Sequence, residues 1–404
     1  MKIGIVSNLY PPYVRGGAEH VVVRTVEALT ARNHDVFVFT TKPDDGKNDL
    51  ELGLNSTERI YRFYPKNFYY VLDDFKHKWL TRLFWHIRDA LCPLRKRRMR
   101  EVLDRERPDI MITHNLKGIG LRIPRVIQFR GIPHIHVVHD LQLIYPSGLL
   151  FAGEEKKLWF ERVAYCVYQR VCKILFGTPD KVVFPSEYLR NEYQKRGFFK
   201  KSEVVVMPNP APDFDAVLKQ ARRAGRLRLL FVGQLETHKG IHLLLDTFRS
   251  LSIDAKLIIA GEGTERERVE RMADADKRIT YLGYIGMDQL VQCLEHADAL
   301  VAPSLCYENS PTVIYEALQS GVPVLAADIG GVGELVEDGV NGFLFAPNDA
   351  DALIDAIHVM NEKKEEFALR QSKTRGTVRA YALSAYADEL ISQCRQIIQR
   401  RKSE

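Results

Sequence analysis

The sequence predicts an α/β protein made of two doubly wound, Rossmann-like domains, and three observations lead there. Short β-branched runs without polar alternation recur along the chain, as strands buried on both faces of a parallel sheet require. Helical patterns separate many of these runs, and such alternation implies right-handed parallel crossovers. The rhythm then restarts beyond Pro208-Asn209-Pro210-Ala211-Pro212, where three prolines in five residues can continue neither a helix nor a central strand.

In the first half, residues 3–6, 36–40, 60–63, 110–113, 135–138, 182–185 and 204–207 read as strands. Helical stretches lie near 17–31, 77–105, 154–175 and 187–197. In the second half the strands fall at 227–232, 256–260, 279–282, 299–302, 322–326 and 343–345. The expected domains are therefore 1–207 and 213–380. A terminal helix at about 383–404, with Arg395, Arg400, Arg401 and Lys402 near its end, is a candidate to pack back on the first domain. Open α/β sheets bind ligands beyond the carboxyl ends of their strands. Two such domains facing each other are expected to hold the site in an interdomain cleft.

With 404 residues, 46% of them hydrophobic and 27% charged, the chain is long enough for two separate cores. No apolar run approaches the ~20 residues of a membrane-spanning helix. Met1-Lys2-Ile3-Gly4-Ile5-Val6 enters a strand directly, without the apolar core of a signal peptide, so the expected location is the cytoplasm. The six cysteines form no CxxC pair and no zinc-ligand spacing, which predicts reduced and mostly buried thiols. Residues 76–107 carry eleven Lys/Arg against four acids, more than the whole excess behind the net charge of +6. The rest of the chain is close to neutral, which argues against a nucleic-acid binder. Within that segment Trp79, Phe84 and Trp85 lead into Arg95-Lys96-Arg97-Arg98. This mixture suits a peripheral contact with an anionic membrane surface, and equally a domain helix that buries its apolar face.

The chemistry is expected where motifs follow strands. Glu308-Asn309-Ser310-Pro311-Thr312-Val313-Ile314-Tyr315-Glu316 comes just after the strand at 299–302. Ser310 before Pro311 reads as a helix start, with the hydroxyl as cap and the proline in the first turn. A helix N-terminus binds a diphosphate well, and carboxylates on either side of it could accept hydrogen bonds from sugar hydroxyls. On its own, the pair could equally be a loop acid and a helix surface charge.

The pair has company. Gly16-Gly17-Ala18-Glu19 follows the first strand, and His139-Asp140 follows the fifth. Phe231-Val232-Gly233 and His238-Lys239-Gly240 open the second half, and Gly330-Gly331-Val332-Gly333-Glu334 follows the glutamates. In this order the motifs resemble the retaining GT-B glycosyltransferases of family 4, over residues 3 to 345. The resemblance implies a GT-B fold and transfer of a hexosyl group from a nucleoside diphosphate sugar, the co-substrate, to a hydroxyl acceptor. The acceptor expected from the resemblance is a glycan or lipid-linked sugar. No metal or other cofactor is implied.

Roles follow from the same resemblance. Glu308 lies near the donor hexose and Glu316 holds the ribose, while Asn309, Ser310, Pro311 and Thr312 contact sugar and diphosphate. Lys239 neutralises the leaving diphosphate, with Gly16, Gly17, Gly233 and Gln234 around it and Tyr284 beside the base. Glu19, His139 and Asp140 serve the acceptor, and His139, Lys239 and Glu308 form the catalytic set. His134 and His136 share one strand face and read as packed residues. The pattern departs from the family at Gln234, where many members carry arginine. An amide can hydrogen-bond phosphate but cannot offset its charge, unless another cation such as Arg15 reaches in. None of the triplets at 213–215, 274–276 and 349–351 (Asp-x-Asp) suits a metal site. The Gly16-Gly17 loop lacks GxGxxG, which weakens a dehydrogenase reading. Two alternatives remain open: a GT-B-type sugar-nucleotide epimerase, and a non-catalytic membrane-surface protein using residues 76–107.

Overall fold

A computed structural model gives the structure of residues 1–46, 50–55, 58–91, 94–153, 159–213 and 225–403. The chain divides into two compact units. The first comprises Met1–Leu149, Lys157–Pro208 and Leu383–Glu404, and the second Leu150–Lys156 and Asn209–Ala382.

The first unit is built on eight strands: β1 (Lys2–Val6), β2 (Asp35–Thr41), β3 (Glu51–Asn55), β4 (Glu58–Phe63), β5 (Ile110–Thr113), β6 (His134–Val137), β7 (Lys181–Phe184) and β8 (Glu203–Val206). Their order is β3-β4-β2-β1-β5-β6-β7-β8, and every neighbouring pair is parallel except β3–β4. The central strands β5, β6 and β7 are buried along their whole length, as parallel strands covered on both faces are, and His134 and His136 of β6 and Lys181 of β7 are buried with them. The sequence reading misses β3. It is a short antiparallel edge strand with Gly53 at its middle and Leu52 facing solvent, so neither periodicity nor propensity marks it.

Among the described residues six helices accompany this sheet: α1 (Gly17–Ala31), α2 (Trp79–Leu91), α3 (Leu94–Glu106), α4 (Ile123–Phe129), α5 (Trp159–Phe176) and α6 (Glu187–Lys195). The stretch read as one helix near 77–105 is two, and residues 92–93 between them lie outside the described residues. The terminal helix Leu383–Ser403 joins this unit, where Tyr386, Leu390, Cys394 and Ile397 share a core with Val22, Val26 and Leu29 of α1. At its rim Arg32 Nε donates to Asp388 Oδ1 at 2.7 Å.

The second unit carries β9 (Leu227–Val232), β10 (Ala255–Ala260), β11 (Ile279–Tyr281), β12 (Ala299–Ala302), β13 (Val324–Ala327) and β14 (Gly342–Phe345). The order is β11-β10-β9-β12-β13-β14, and all pairs are parallel. Strand alternation feeds two cores. Leu227, Leu229 and Phe231 of β9 pack with α7 (Ile241–Ser250). Leu230 points the other way, into a cluster shared with α9 (Met287–His296) and α10 (Thr312–Gln319); α8 (Arg266–Ala275) lies between α7 and α9 in sequence. Helices α11 (Ala350–Leu369) and α12 (Gln371–Gly376) complete the unit, with Leu353, Ile357 and Met360 of α11 on the α7 side. Residues Asn209 to Ala211, read as linker, are tied into it: the Ala211 N–H donates to Tyr381 O at 2.7 Å.

Candidate active site

In the second unit the loops after β9, β12 and β13 meet through close backbone contacts that demand glycine. Gly240 follows the short 3-10 turn Thr237–Lys239 with φ +72, and a Cβ there would lie 1.8 Å from the Pro303 carbonyl oxygen. The Leu305 N–H donates to His238 O at 2.9 Å across the same junction. Gly330, at φ +69, lets the backbone of the Gly330-Gly331 loop run beside Glu308. A Cβ at Gly330 would sit 2.1 Å from Glu308 O, and the Gly331 N–H donates to that oxygen at 2.7 Å. Only glycine accepts such a backbone conformation beside another chain segment without strain.

These contacts bring Lys239 and Glu308 together. Lys239 Nζ donates to Glu308 Oε1 at 2.5 Å, and Ser304 Oγ donates to the same oxygen at 2.7 Å. The side chains keep 27% and 13% of their accessible surface, so the pair is shielded from water but still reachable. Burial alone would push the Glu308 carboxyl up. Lys239, the Ser304 hydroxyl and His238 outweigh it and hold the carboxyl below the usual range. Burial likewise opposes the charged lysine, and Glu308 overrides it, keeping the ammonium above its usual value. Both groups are therefore ionised at neutral pH.

Helix α10 starts one residue later than the sequence suggests. Pro311 is the residue at the cap, with φ −66 and ψ 119, and no side chain caps the helix. The Ser310 hydroxyl instead meets Tyr315 Oη at 2.7 Å in a buried contact, and Ser310 O accepts from Asn209 Nδ2 at 3.0 Å. Ser310 is thus a bracket for the loop, its hydroxyl held by Tyr315 and its carbonyl by Asn209. Thr312 opens the helix and Asn309 lies half-buried before it. Glu316, five residues into the helix, is only 5% exposed, so it is no ordinary surface charge. Gly233 and Gln234 follow β9 and are half-buried, whereas Tyr284, after β11, is 67% exposed.

The first unit holds the other predicted residues at the carboxyl ends of its own strands. Gly16 and Gly17 open α1. Glu19 turns back to accept from the Gly16 N–H at 2.8 Å, so it shapes the loop, and burial raises its carboxyl against these hydrogen bonds. His139 and Asp140 follow β6 and are half-buried. Burial lowers His139 to about 4 and raises Asp140 to about 6, the latter against hydrogen bonds from the Gln142 N–H and Asn115. His134 and His136 both meet Thr113 Oγ1, at 2.8 and 2.9 Å, and are packed residues as expected. Sequence reasoning missed His114, fully buried, whose Nδ1 lies 2.9 Å from His139 Nε2. It also missed Ser304 and Asn209; no spacing signal marks any of the three.

The basic segment is more structural than its composition suggests. Trp85 is fully buried, stacks on Tyr69 with centroids 5.6 Å apart and donates to Tyr69 O at 2.9 Å. Arg95 is buried against Asp89 and Pro65 O, and Arg82 pairs with Asp74 at 2.6 Å. Leu80, Phe84 and Phe68 stay exposed. Among the described residues no helix is long and apolar enough to cross a membrane, and no group of three or more His, Cys, Asp or Glu is placed to hold a metal ion. Five cysteines are described and none is paired: Cys172, Cys306 and Cys394 are buried, Cys293 is half-buried and Cys166 is exposed, while Cys92 lies outside the described residues. Of the Asp-x-Asp triplets, Asp349 caps α11 and Asp276 pairs with Arg278, while Asp215 lies outside the described residues.

Two doubly wound sheets, parallel but for the β3 edge, define the GT-B fold, and solved structures agree. Sucrose-phosphate synthase from Thermosynechococcus elongatus superposes with a TM-score of 0.74 at 22% identity, covering 99% of both chains. HepE of Anabaena, solved with UDP-glucose, gives 0.68 at 17% identity over 98% of this chain and all of that one. Residues 15–212 match Glycosyltransferase Family 4 and residues 215–375 match Glycosyl transferases group 1. The chain belongs to this family of GT-B glycosyltransferases. Among its relatives, an uncharacterised 42.6 kDa protein in the cps region of Klebsiella pneumoniae is 28% identical over 91% of this chain and 96% of its own. Glycogen synthase of Mycobacterium tuberculosis is 27% identical over 88% and 85%.

Proposed function

We propose that the chain is a retaining hexosyltransferase: it moves a hexosyl group from a nucleoside diphosphate sugar to a hydroxyl of a glycan or lipid-linked acceptor. The observation that carries this reading is the Lys239–Glu308 pair beside the start of α10. A donor placed there meets an ammonium for its diphosphate, first-turn N–H groups for the phosphate oxygens, and a carboxylate for its hexose hydroxyls. Among the described residues both hydrogen bonds to the Glu308 carboxylate fall on Oε1, which leaves Oε2 to accept from the sugar. Glu316 takes the ribose, and Tyr284 packs on the base.

In the reaction the bond between the anomeric carbon and the β-phosphate oxygen breaks as the acceptor oxygen bonds to the same face of that carbon. The acceptor proton passes to the departing phosphate oxygen. Charge grows on the leaving diphosphate, and Lys239 supplies the charge to meet it, worth about 2–4 kcal/mol by comparison with single oxyanion donors. With Gln234 where many members have arginine, Lys239 and the helix start carry this task without a resident metal. In the first unit His139 and Asp140 serve the acceptor, and Gly16 and Gly17 allow close approach of the backbone.

A peripheral contact with anionic lipid belongs to the same proposal, through Leu80, Phe84 and Phe68 with the exposed arginines of α3. A melting-temperature screen against UDP-, GDP- and ADP-hexoses tests the donor reading. A donor at a hundred times its Kd stabilises the protein by about 2.7 kcal/mol, and no shift with any of them would refute it.

A further inference from the structure

The buried histidine beside His139 goes beyond this reading. His114 follows β5, with its N–H donating to Val6 O at 2.8 Å, and its ring lies edge to edge with that of His139, the centroids 5.2 Å apart and the planes 20° from parallel. The contact from His114 Nδ1 to His139 Nε2, at 2.9 Å, is a hydrogen bond that one ring must donate. The other ring nitrogen of His114, Nε2, is buried and has no hydrogen-bond partner among the described residues. His114, His139 and Asp140 line one small cavity of this unit.

A neutral imidazole carries one N–H, so two arrangements exist. If His139 donates, the His114 proton sits on Nε2 and is a buried N–H with no acceptor. If His114 donates, its proton sits on Nδ1 and only a lone pair is left unmet on Nε2. Orphaned buried N–H groups are rarer and costlier than under-used acceptors. We infer that His114 is a positioning residue: it donates from Nδ1 to His139 Nε2 and so fixes His139 with its proton on Nδ1. His139 then acts on its ligand as a hydrogen-bond donor to a sugar or phosphate oxygen, and its Nε2 is not a base for the acceptor proton. Burial, which holds both rings neutral at physiological pH, is consistent with this. It also agrees with a reaction in which the leaving phosphate takes that proton. The inference rests on the assignment of His139 to the reacting centre.

The test uses full-length protein labelled with nitrogen-15 on histidine, and reads the ring tautomers by long-range proton–nitrogen NMR. The resonances are assigned with His114 and His139 variants. His139 is expected as the Nδ1–H tautomer in the wild type. In His114→Asn, whose amide can replace the Nδ1–H donor, it is expected to stay so. In His114→Leu it is expected to shift toward the Nε2–H form that neutral histidine prefers in water. An Nε2–H tautomer in the wild type, or no change in a folded His114→Leu protein, overturns the inference.

A kinetic arm uses the nucleotide hexose that stabilises the protein in the screen above. His114→Leu is expected to lose about tenfold to a hundredfold in kcat with little change in donor KM, and His114→Asn to recover most of it. Equal loss in both variants means a packing role and overturns the inference. Near-normal turnover in His139→Ala removes the assignment of His139 itself, whatever the tautomer shows.

Discussion

The Lys239–Glu308 pair gives the most quantitative test. Replacing Lys239 with methionine keeps the alkyl packing and removes the ammonium, which leaves Glu308 Oε1 with only the Ser304 hydroxyl. Breaking a fully buried pair costs about 3–5 kcal/mol and breaking an exposed one under about 1 kcal/mol. With 27% and 13% of the side-chain surfaces still accessible, this pair falls between, at about 1.5–3 kcal/mol. At about 2–4 °C per kcal/mol for a unit of this size, the melting temperature of the second unit drops by about 3–12 °C. Glu308→Gln keeps an acceptor for Ser304, so a double-mutant cycle with Lys239→Met isolates the charge interaction. The pH dependence follows from the two shifts. Glu308 is lowered in the fold, so its contribution is present above the unfolded carboxyl value and lost as pH falls through the folded one. Lys239 is raised, so its contribution is present below the unfolded lysine value and lost only as pH rises through the folded one. Coupling therefore forms a plateau from about pH 5 to about pH 10. A coupling below about 0.5 kcal/mol at pH 7, or one unchanged at pH 3, would refute the reasoning.

Three further outcomes are expected. Gly330→Ala places a methyl carbon against Glu308 O at a left-handed backbone position, so it should cost about 2 kcal/mol or more in denaturant titration and weaken donor binding as Glu308 moves. Asp140 is raised to about 6, so its charged form destabilises the fold as pH rises from the unfolded carboxyl value through 6. Asp140→Asn should therefore gain about 1–2 kcal/mol of stability at pH 7 and nothing near pH 3, while acceptor turnover falls. Trp85→Ala should cost about 3–5 kcal/mol because the ring is core, whereas Phe84→Asp should leave stability unchanged and reduce sedimentation with phosphatidylglycerol vesicles.

Much of the fold was legible because parallel strands buried on both faces write themselves as short, mostly apolar runs, and among the described residues thirteen of the fourteen strands overlap the stretches so read. β3 escaped because an edge strand needs neither burial nor pairing on both sides. The candidate donor residues were legible as motifs, yet their connections were not. Nothing in the sequence says that Lys239 touches Glu308, since sixty-nine residues separate them and a glycine contact at Pro303 closes the gap. Ser310 shows the converse: its type and spacing suit a cap, but the proline after it takes the cap position and Tyr315 takes its hydroxyl. In the Trp/Arg segment the sequence left two readings open for a similar reason. Composition cannot tell an arginine that meets lipid from Arg95, which is buried on backbone carbonyls.

The most direct measurement is proton NMR of a transfer reaction, run with wild type and Lys239→Met on the donor found by the screen. The account predicts that nucleoside diphosphate is released as the new glycosidic bond forms, and that the product keeps the donor's anomeric configuration. It also predicts that Lys239→Met is slower by about a hundredfold to a thousandfold. An inverted product, or a Lys239→Met variant that turns over at close to the wild-type rate, would contradict it.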